Sequence, residues 1–266
     1  MNTAQTSLRV STLVSRGRRG IDRYGWRALS KEVFVRSSRP ALAPLAAHQL
    51  HRRAANVQSI DEILDLAFEF KPCGISIRPC QSRWEIRHLL EEVANVRPRA
   101  MLEIGTATGG SLLAFTRVSA PDAHVLSVDL PHGAFGGGYP MWKVPLYKAF
   151  ATDHQRLDLI RGNSHSQQTF AEVEARLKGR PLDFLFIDGD HTYDGVQADF
   201  EQYKSLVRPG GLIAFHDIAP PHSDSAAIDD PGDVPQFWTD LTARQPSRAF
   251  IDPNSRGCFG IGVLTA

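Results

Sequence analysis

The stretch AMLEIGTATGGS, residues 100–111, opens with the apolar run Ala100, Met101, Leu102 and Ile104 and breaks at Gly105, Gly109 and Gly110. It resumes with Leu112, Leu113, Phe115 and Val118 at helical spacing. A short apolar run without alternation predicts a strand buried on both faces. Glycines let the chain turn tightly and let a ligand approach the backbone. The helix that follows presents unpaired N–H groups and a partial positive charge at its start. Strand, glycine turn and helix together predict a site for a nucleotide-type ligand, with Glu103 near the strand's end to meet a cationic or hydroxylated part of it.

Downstream the same alternation repeats. Ala123–Leu130 (AHVLSVDL) predicts a second strand ending in Asp129. Leu157–Arg161 predicts a third, followed by Gly162, Asn163 and Ser164, and Leu182–Ile187 (LDFLFI) a fourth ending at Asp188. Phe170, Val173 and Leu177 mark one helix, and Tyr193, Val196, Phe200, Tyr203 and Leu206 the next. Arg208–Gly211 turns the chain into a fifth strand, Leu212–Phe215, closed by His216 and Asp217; Ala249–Ile251 and Gly260–Leu264 read as late strands. Upstream, Ser59 with Glu62 and Ser82 with Glu85 form capping-box patterns ahead of apolar runs. Strands spaced by helices predict an α/β fold with a doubly wound, mostly parallel sheet. Glu103, Asp129, Asn163, Ser164, Asp188, His216 and Asp217 all fall at or just beyond the carboxyl ends of successive strands. In open α/β sheets that edge binds the ligand.

Composition bounds the rest. The chain has 266 residues, 42% apolar and 22% charged, enough for a full core in one domain plus an extension. Residues 1–60 carry ten Arg and one Lys against only Asp22 and Glu32, so the body of the chain is acidic although the whole is nearly neutral. We expect a basic extension over 1–55, helical or partly disordered, and a catalytic-type domain over 56–266. The extension reads as a docking segment for a partner, a contact for an anionic membrane surface, or a targeting segment. Pro40 and Pro44 break its periodicity. An acidic body excludes nucleic acid as the expected partner. Cys73, Cys80 and Cys258, without zinc spacing, fit a reducing compartment and hence a cytoplasmic location. No run approaches the ~18 apolar residues of a membrane span.

The turn reads Gly105-x-Ala107-x-Gly109, closer to G-x-G-x-G than to the G-x-G-x-x-G of NAD folds. Asp129, 24 residues after Gly105, is placed to grip ribose hydroxyls, which suits NAD or S-adenosylmethionine equally. With LEIGTATGGS (102–111), VLSVDL (125–130), FIDGDHTYDGVQADF (186–200) and VRPGGLIAFHDI (207–218), the chain resembles the class I S-adenosylmethionine-dependent methyltransferases. Within them it is similar to the bacterial subfamily of cephalosporin-hydroxylase-like and rhamnosyl O-methyltransferase-like proteins. Ala107 stands where the family has its middle glycine. The resemblance covers roughly residues 80–265. It implies a Rossmann-like methyltransferase fold with seven strands, the last antiparallel, and methyl transfer to a small molecule. It places Glu103 and Gly105 at the amino-acid end of the cofactor, Asp129 at the ribose, and Asn163 and Ser164 near the adenine. Thr106, Gly109, Ser111 and Asp188 complete the expected cofactor contacts.

Methyl transfer is an in-line displacement that needs a close, activated acceptor oxygen. A divalent ion or a general base supplies the activation. Asp188 and Asp217, ending adjacent strands, are the expected ligands of a hard cation, Mg²⁺ by donor type. The related catechol-type O-methyltransferases place ligands after the same two strands, which adds His216. Asp190 is an alternative carboxylate. His191 is the expected general base, since an imidazole with a pKa near ~6.5 suits proton removal at neutral pH. His132, His154, His165 and His222 read as surface residues. Pro131–Tyr147, with Phe135, Tyr139, Trp142 and Tyr147 among glycines, reads as a lid over the substrate. Pro220–Pro235 reads as a second mobile cover, with Trp238 anchoring it to the core. The expected function is O-methylation of a hydroxyl on a sugar, glycolipid or natural product, by a chain able to self-associate. The competing readings are a catalytically silent cofactor-binding partner protein and an NAD-dependent oxidoreductase.

Overall fold

All five residues of β1 (Ala100–Ile104) are buried, as the unbroken apolar run requires. The strand is parallel to β2 (His124–Asp129) on one side and β4 (Leu182–Ile187) on the other, with Leu102 opposite Leu126 and Leu185. The computed structural model describes residues 37–133, 138–220, 231–254 and 259–266. Adding β3 (Arg156–Arg161), β5 (Val207–His216), β6 (Ser247–Phe250) and β7 (Ile261–Thr265) gives one seven-stranded sheet in the order β3-β2-β1-β4-β5-β7-β6. β7 runs antiparallel to both β5 and β6; the other pairs are parallel. The doubly wound sheet expected from the sequence is therefore the observed one.

Side chains alternate across the sheet, and each face buries its own helical layer. Met101, Val125, Phe184 and Phe186 pack under α2 (Ile60–Glu69), α3 (Arg83–Val96), α4 (Gly110–Val118) and α5 (Val144–Lys148). Phe115 of α4 meets the Phe184 and Phe186 rings edge-on at 5.0 Å between centroids. On the other face Leu102, Ile104, Leu185, Ile187 and Phe215 pack against α6 (Gln167–Leu177), α7 (Tyr193–Tyr203) and α8 (Val234–Thr242). Trp238 of α8 is buried against Phe215 and Gly262.

Three local readings need revision. A helix, α1, is present over 37–54, although Pro40 and Pro44 looked like breaks. It buries Ala43, Ala46, Ala47, Leu50 and Ala54 in the same core as α2–α4. A proline deletes one donor and crowds the preceding turn, whereas Leu50 alone contributes about 2 kcal/mol by leaving water. The packed body thus begins upstream of residue 55; residues 1–36 lie outside the described residues. Ser82 accepts from the Glu85 N–H at 3.1 Å, but the Glu85 carboxylate does not return the bond; it accepts from the Asp252 N–H at 3.0 Å and ties α3 to the β6–β7 connection. Ser59 and Glu62 do make the full reciprocal box. The Arg208–Gly211 turn survives inside a longer β5 as an irregularity, with Leu182 opposite Val207 and Phe184 opposite Leu212.

The stretch expected as a lid packs in part into the core. Tyr139 and Tyr147 are buried in the core, their rings 4.8 Å apart edge-on, and the Tyr147 hydroxyl donates to the Ala107 carbonyl at 2.8 Å. They brace the glycine turn and offer no face to a substrate. Phe135, His222, Cys258 and the centre of the second expected cover, 221–230, lie outside the described residues.

Candidate active site

Chain order in the sheet reverses between β1 and β4, the place where open α/β sheets bind a ligand at their carboxyl ends. Gly105 creates its floor: φ is +90°, and a Cβ there would lie 1.8 Å from the Asp188 carbonyl oxygen. Only glycine lets the two loops approach this closely. The cleft, about 170 Å³, is lined by Gly105, Ala107, Asp129, Asn163, Ser164, His165, Asp188 and Asp190 with their apolar neighbours. No helix among the described residues is long and apolar enough to cross a membrane.

Asp129, the last residue of β2, accepts from the Ala107 N–H at 3.1 Å through Oδ2 and from the Gly138 N–H at 2.9 Å through Oδ1. Burial pushes its pKa up and these N–H groups pull it back. Each oxygen retains a lone pair for a hydroxyl in the cleft. Ala107, at the family's middle-glycine position, takes φ +42°, a left-handed conformation that costs an alanine about 1–2 kcal/mol. Glu103 is fully buried within β1, and neither carboxylate oxygen has a hydrogen bond among the described residues. Burial pushes its pKa up to about 8, although the neighbouring Ser111 and Thr106 hydroxyls pull it down, so the neutral carboxyl is favoured far more than in an exposed glutamate. Thr106, bonded to Ser127 at 2.5 Å between hydroxyl oxygens, is buried with Ser111, and Gly109 lies under the Tyr147 ring. Of the expected cofactor residues, Gly105, Asp129, Asn163, Ser164 and Asp188 line the cleft, while Glu103, Thr106, Gly109 and Ser111 back the turn.

Beside the cleft, the ends of β4 and β5 bring together Asp188, His191, His216 and Asp217. The His191 ring lies between two carboxylates, with Nε2 3.6 Å from Asp188 Oδ1 and Nδ1 3.5 Å from Asp217 Oδ2. One ligand atom from each of Asp188, His191 and Asp217 falls within 4.8 Å of the others, close enough to share an ion. His216, expected as the third ligand, sits behind them: Nδ1 lies 3.2 Å from Asp188 Oδ1 and 3.1 Å from Asp217 Oδ2, and the ring stacks on Phe259. Burial would favour neutral His216, but the two carboxylates win and hold its pKa well above the ordinary value. Burial would likewise raise Asp188, yet His216 and His191 keep it below the usual carboxylate range. Gln81, buried ahead of α3, donates to Asp188 Oδ2 at 2.7 Å. Asp217 adopts φ +60°, a strained backbone for a non-glycine residue, and the pairs that follow hold it: the Ala219 N–H donates to Phe259 O at 2.7 Å. Asp190, the alternative carboxylate, is turned to α7 and accepts from the Thr192 N–H and hydroxyl.

Two residues of this site escape a reading along the chain. Gln81 has no motif, since its contact with Asp188 spans the sequence. His165, read as a surface residue, lines the cleft; its place directly after Asn163 and Ser164 is the signal that would have found it.

Residues 102–218 match the model of a family described as a methyltransferase domain. The chain is 29% identical over 158 residues to the uncharacterized protein y4gI of Sinorhizobium fredii, a stretch that is 58% of this chain and 16% of that one. It is 31% identical over 114 residues to a caffeoyl-CoA O-methyltransferase of Populus kitakamiensis, covering 43% of this chain and 44% of that one. The chain thus spans less than half the length of either relative. The crystal structure of an O-methyltransferase from Bacillus cereus in complex with SAH superposes with a TM-score of 0.50 at 19% identity, over 79% of this chain and 93% of that chain. This likeness shows the fold. The resemblance read from the four sequence blocks is the one these matches bear out.

Proposed function

We propose, from the premise that residues 102–218 are a methyltransferase domain, that this chain moves a methyl group from S-adenosylmethionine to a hydroxyl of a small molecule with the help of a divalent cation. The observation that carries the proposal is the pairing of two features at one sheet edge. One is a cleft with a glycine floor and an acid at ribose distance; the other is a cluster of two carboxylates and an imidazole directly beside it. The residues fit both groups. Glu103, buried with two unsatisfied oxygens, suits an ammonium, and the oxygen-rich set at Asp188 and Asp217 suits a hard cation such as Mg²⁺.

Bound, the cofactor supplies a sulfonium-activated methyl group and the cation supplies Lewis acidity toward an oxygen. The chain's residues do the rest. Asp129 orients the ribose diol, Asn163 and Ser164 border the nucleobase, and the Gly105 floor sets the depth. Gln81 and His216 hold the Asp188 carboxylate from two sides, so its position does not depend on solvent. His191 removes the acceptor's proton at Nε2 or Nδ1. Burial works against its charge, but Asp188 and Asp217 overcome that and raise its pKa. With a cation held by Asp188 and Asp217, those carboxylates would favour the imidazolium less, and the ring would be available as a base. The acceptor is a sugar, glycolipid or natural-product hydroxyl, the class that the resemblance implies.

Calorimetry with S-adenosylhomocysteine (SAH) on the full chain, followed by an acceptor screen with and without EDTA, tests this. Saturable SAH binding and EDTA-sensitive product are expected. A chain that binds no SAH overturns the reading, and product formation unchanged by exhaustive chelation removes the cation from it.

A further inference from the structure

Asp199 is an acid on the core-facing side of α7, between the buried Val196 and Phe200. It is fully buried, and neither carboxylate oxygen makes a hydrogen bond among the described residues. A buried carboxylate is costly unless another charge answers it. The answer is His165, whose Nε2 lies 3.4 Å from Asp199 Oδ1. His165 in turn lines the cleft beside Asn163 and Ser164. Two further residues of the same helix face hold this loop: Gln202 Nε2 and the Tyr203 hydroxyl donate to the Ser164 carbonyl at 2.8 and 2.9 Å. Positions 199, 202 and 203 fall at i, i+3 and i+4, so one stripe of α7 carries the whole clasp. Asp199 Oδ2 also lies against Gly189, where a Cβ would approach it to 3.3 Å. The acid thus sits between the loop of the nucleobase end and the loop that carries Asp188.

We propose that Asp199 is a positioning residue acting through His165: it fixes the imidazole's orientation in the cleft so that a ring N–H meets an acceptor nitrogen on the edge of a purine. The proposal rests on the cofactor reading above and adds to it a determinant of nucleobase recognition. A neutral imidazole that gives its one N–H to Asp199 has only a lone pair left to offer, whereas the imidazolium donates from both nitrogens. Asp199 beside Nε2 favours the second form, against burial; Asp190, on the loop after β4, and the Gly195 carbonyl add to it. Asp129 and Asp188 are the other acids lining the cleft.

The test is calorimetry of SAH with the full-length wild type, Asp199→Asn, His165→Ala and the double variant between pH 6 and 9. Each single variant is expected to bind SAH about tenfold more weakly near pH 6.5, and the double variant no more weakly than His165→Ala. The ratio of His165→Ala to wild-type Kd is expected to fall toward one as pH rises through the imidazole's raised pKa. That change is specific to His165 and would not follow from a general loosening of the fold. Affinities of both single variants within twofold of wild type, additive losses, or a pH-independent ratio overturn the proposal. If Asp199→Asn does not fold, His165→Ala at its part-exposed loop position decides alone, by affinity and by the pH dependence of the ratio. Wild type that binds no SAH overturns the cofactor reading itself, a result distinct from wild type that binds while both variants match it.

Discussion

The backbone at Gly105 and the carbonyl of Asp188 are packed so closely that a methyl group on the first would stand 1.8 Å from the oxygen of the second. That contact joins the glycine turn on the floor of the cleft to the loop of the carboxylate cluster. Gly105→Ala therefore has to push the β1 and β4 loops apart as well as adopt φ +90°. We expect a loss of about 2–4 kcal/mol in stability, with SAH binding lost in calorimetry even where the variant remains folded. Wild-type affinity in a folded Gly105→Ala protein would show that the two loops need not touch.

Asp217 belongs to the carboxylate cluster and does not line the cleft. Asp217→Asn is expected to lower turnover by at least 100-fold and to weaken Mn²⁺ or Mg²⁺ binding at least tenfold, with SAH affinity within threefold of wild type. Steady-state kinetics alongside metal and SAH titrations check this split. An equal loss of cation and SAH affinity would mean that the cluster and the cleft are one site.

Glu103 gives a pH dependence with a definite sign. Its pKa in the folded chain, about 8, lies above that of an unfolded glutamate, so the folded state binds the extra proton between those values. Stability should be full below about pH 4 for this group and decline as pH rises toward 8, at up to ~1.4 kcal/mol per pH unit. Glu103→Gln keeps the shape and removes the titration. The gap in unfolding free energy between wild type and Glu103→Gln, followed by urea denaturation, should thus shift in favour of the variant as pH rises. A gap independent of pH would show that Glu103 is ionised in the folded chain.

Asp183 is a control at the opposite edge of the sheet. Its Oδ2 accepts from the Arg99 and Ala100 N–H groups at 2.7 and 3.0 Å, and Oδ1 from Arg208 Nε at 2.6 Å. Burial raises its pKa, but these donors prevail and leave it lowered. Its contribution is present above the unfolded pKa and is lost as pH falls through the folded one. Asp183→Asn should cost about 1–2 kcal/mol at neutral pH, after allowance for the solvent around Arg208, and progressively less in acid. SAH affinity should not change. Thermal melts at pH 7 and pH 3 read the first effect and calorimetry the second.

The sequence is clear where the information is local. The β1 run, the glycine turn and the Ser59 box each decide their own structure within a few residues, and the acids closing successive strands fall on one edge because strands alternate with helices. What was missed depends on partners far along the chain. Pro40 and Pro44 look like breaks until the core that α1 covers is known. Tyr139 and Tyr147 look like lid aromatics until the turn they brace is in place. Glu85 completes a capping pattern on paper, but the Asp252 N–H draws its carboxylate away. Gln81 and Asp199 form contacts that no spacing rule describes; the hint for Asp199 was an acid on the apolar stripe of α7, and that for His165 its place directly after Asn163 and Ser164.

Placing β7 between β5 and β6 has a consequence for how the protein is made. Among the described residues β6 hydrogen-bonds to no strand other than β7, so until residues 261–265 leave the ribosome β6 lacks that partner. During that interval β5 is a raw edge of unpaired N–H and C=O groups, the kind of surface on which neighbouring nascent chains stick. Truncations or fusions that disturb this late segment should therefore show themselves first as insoluble product.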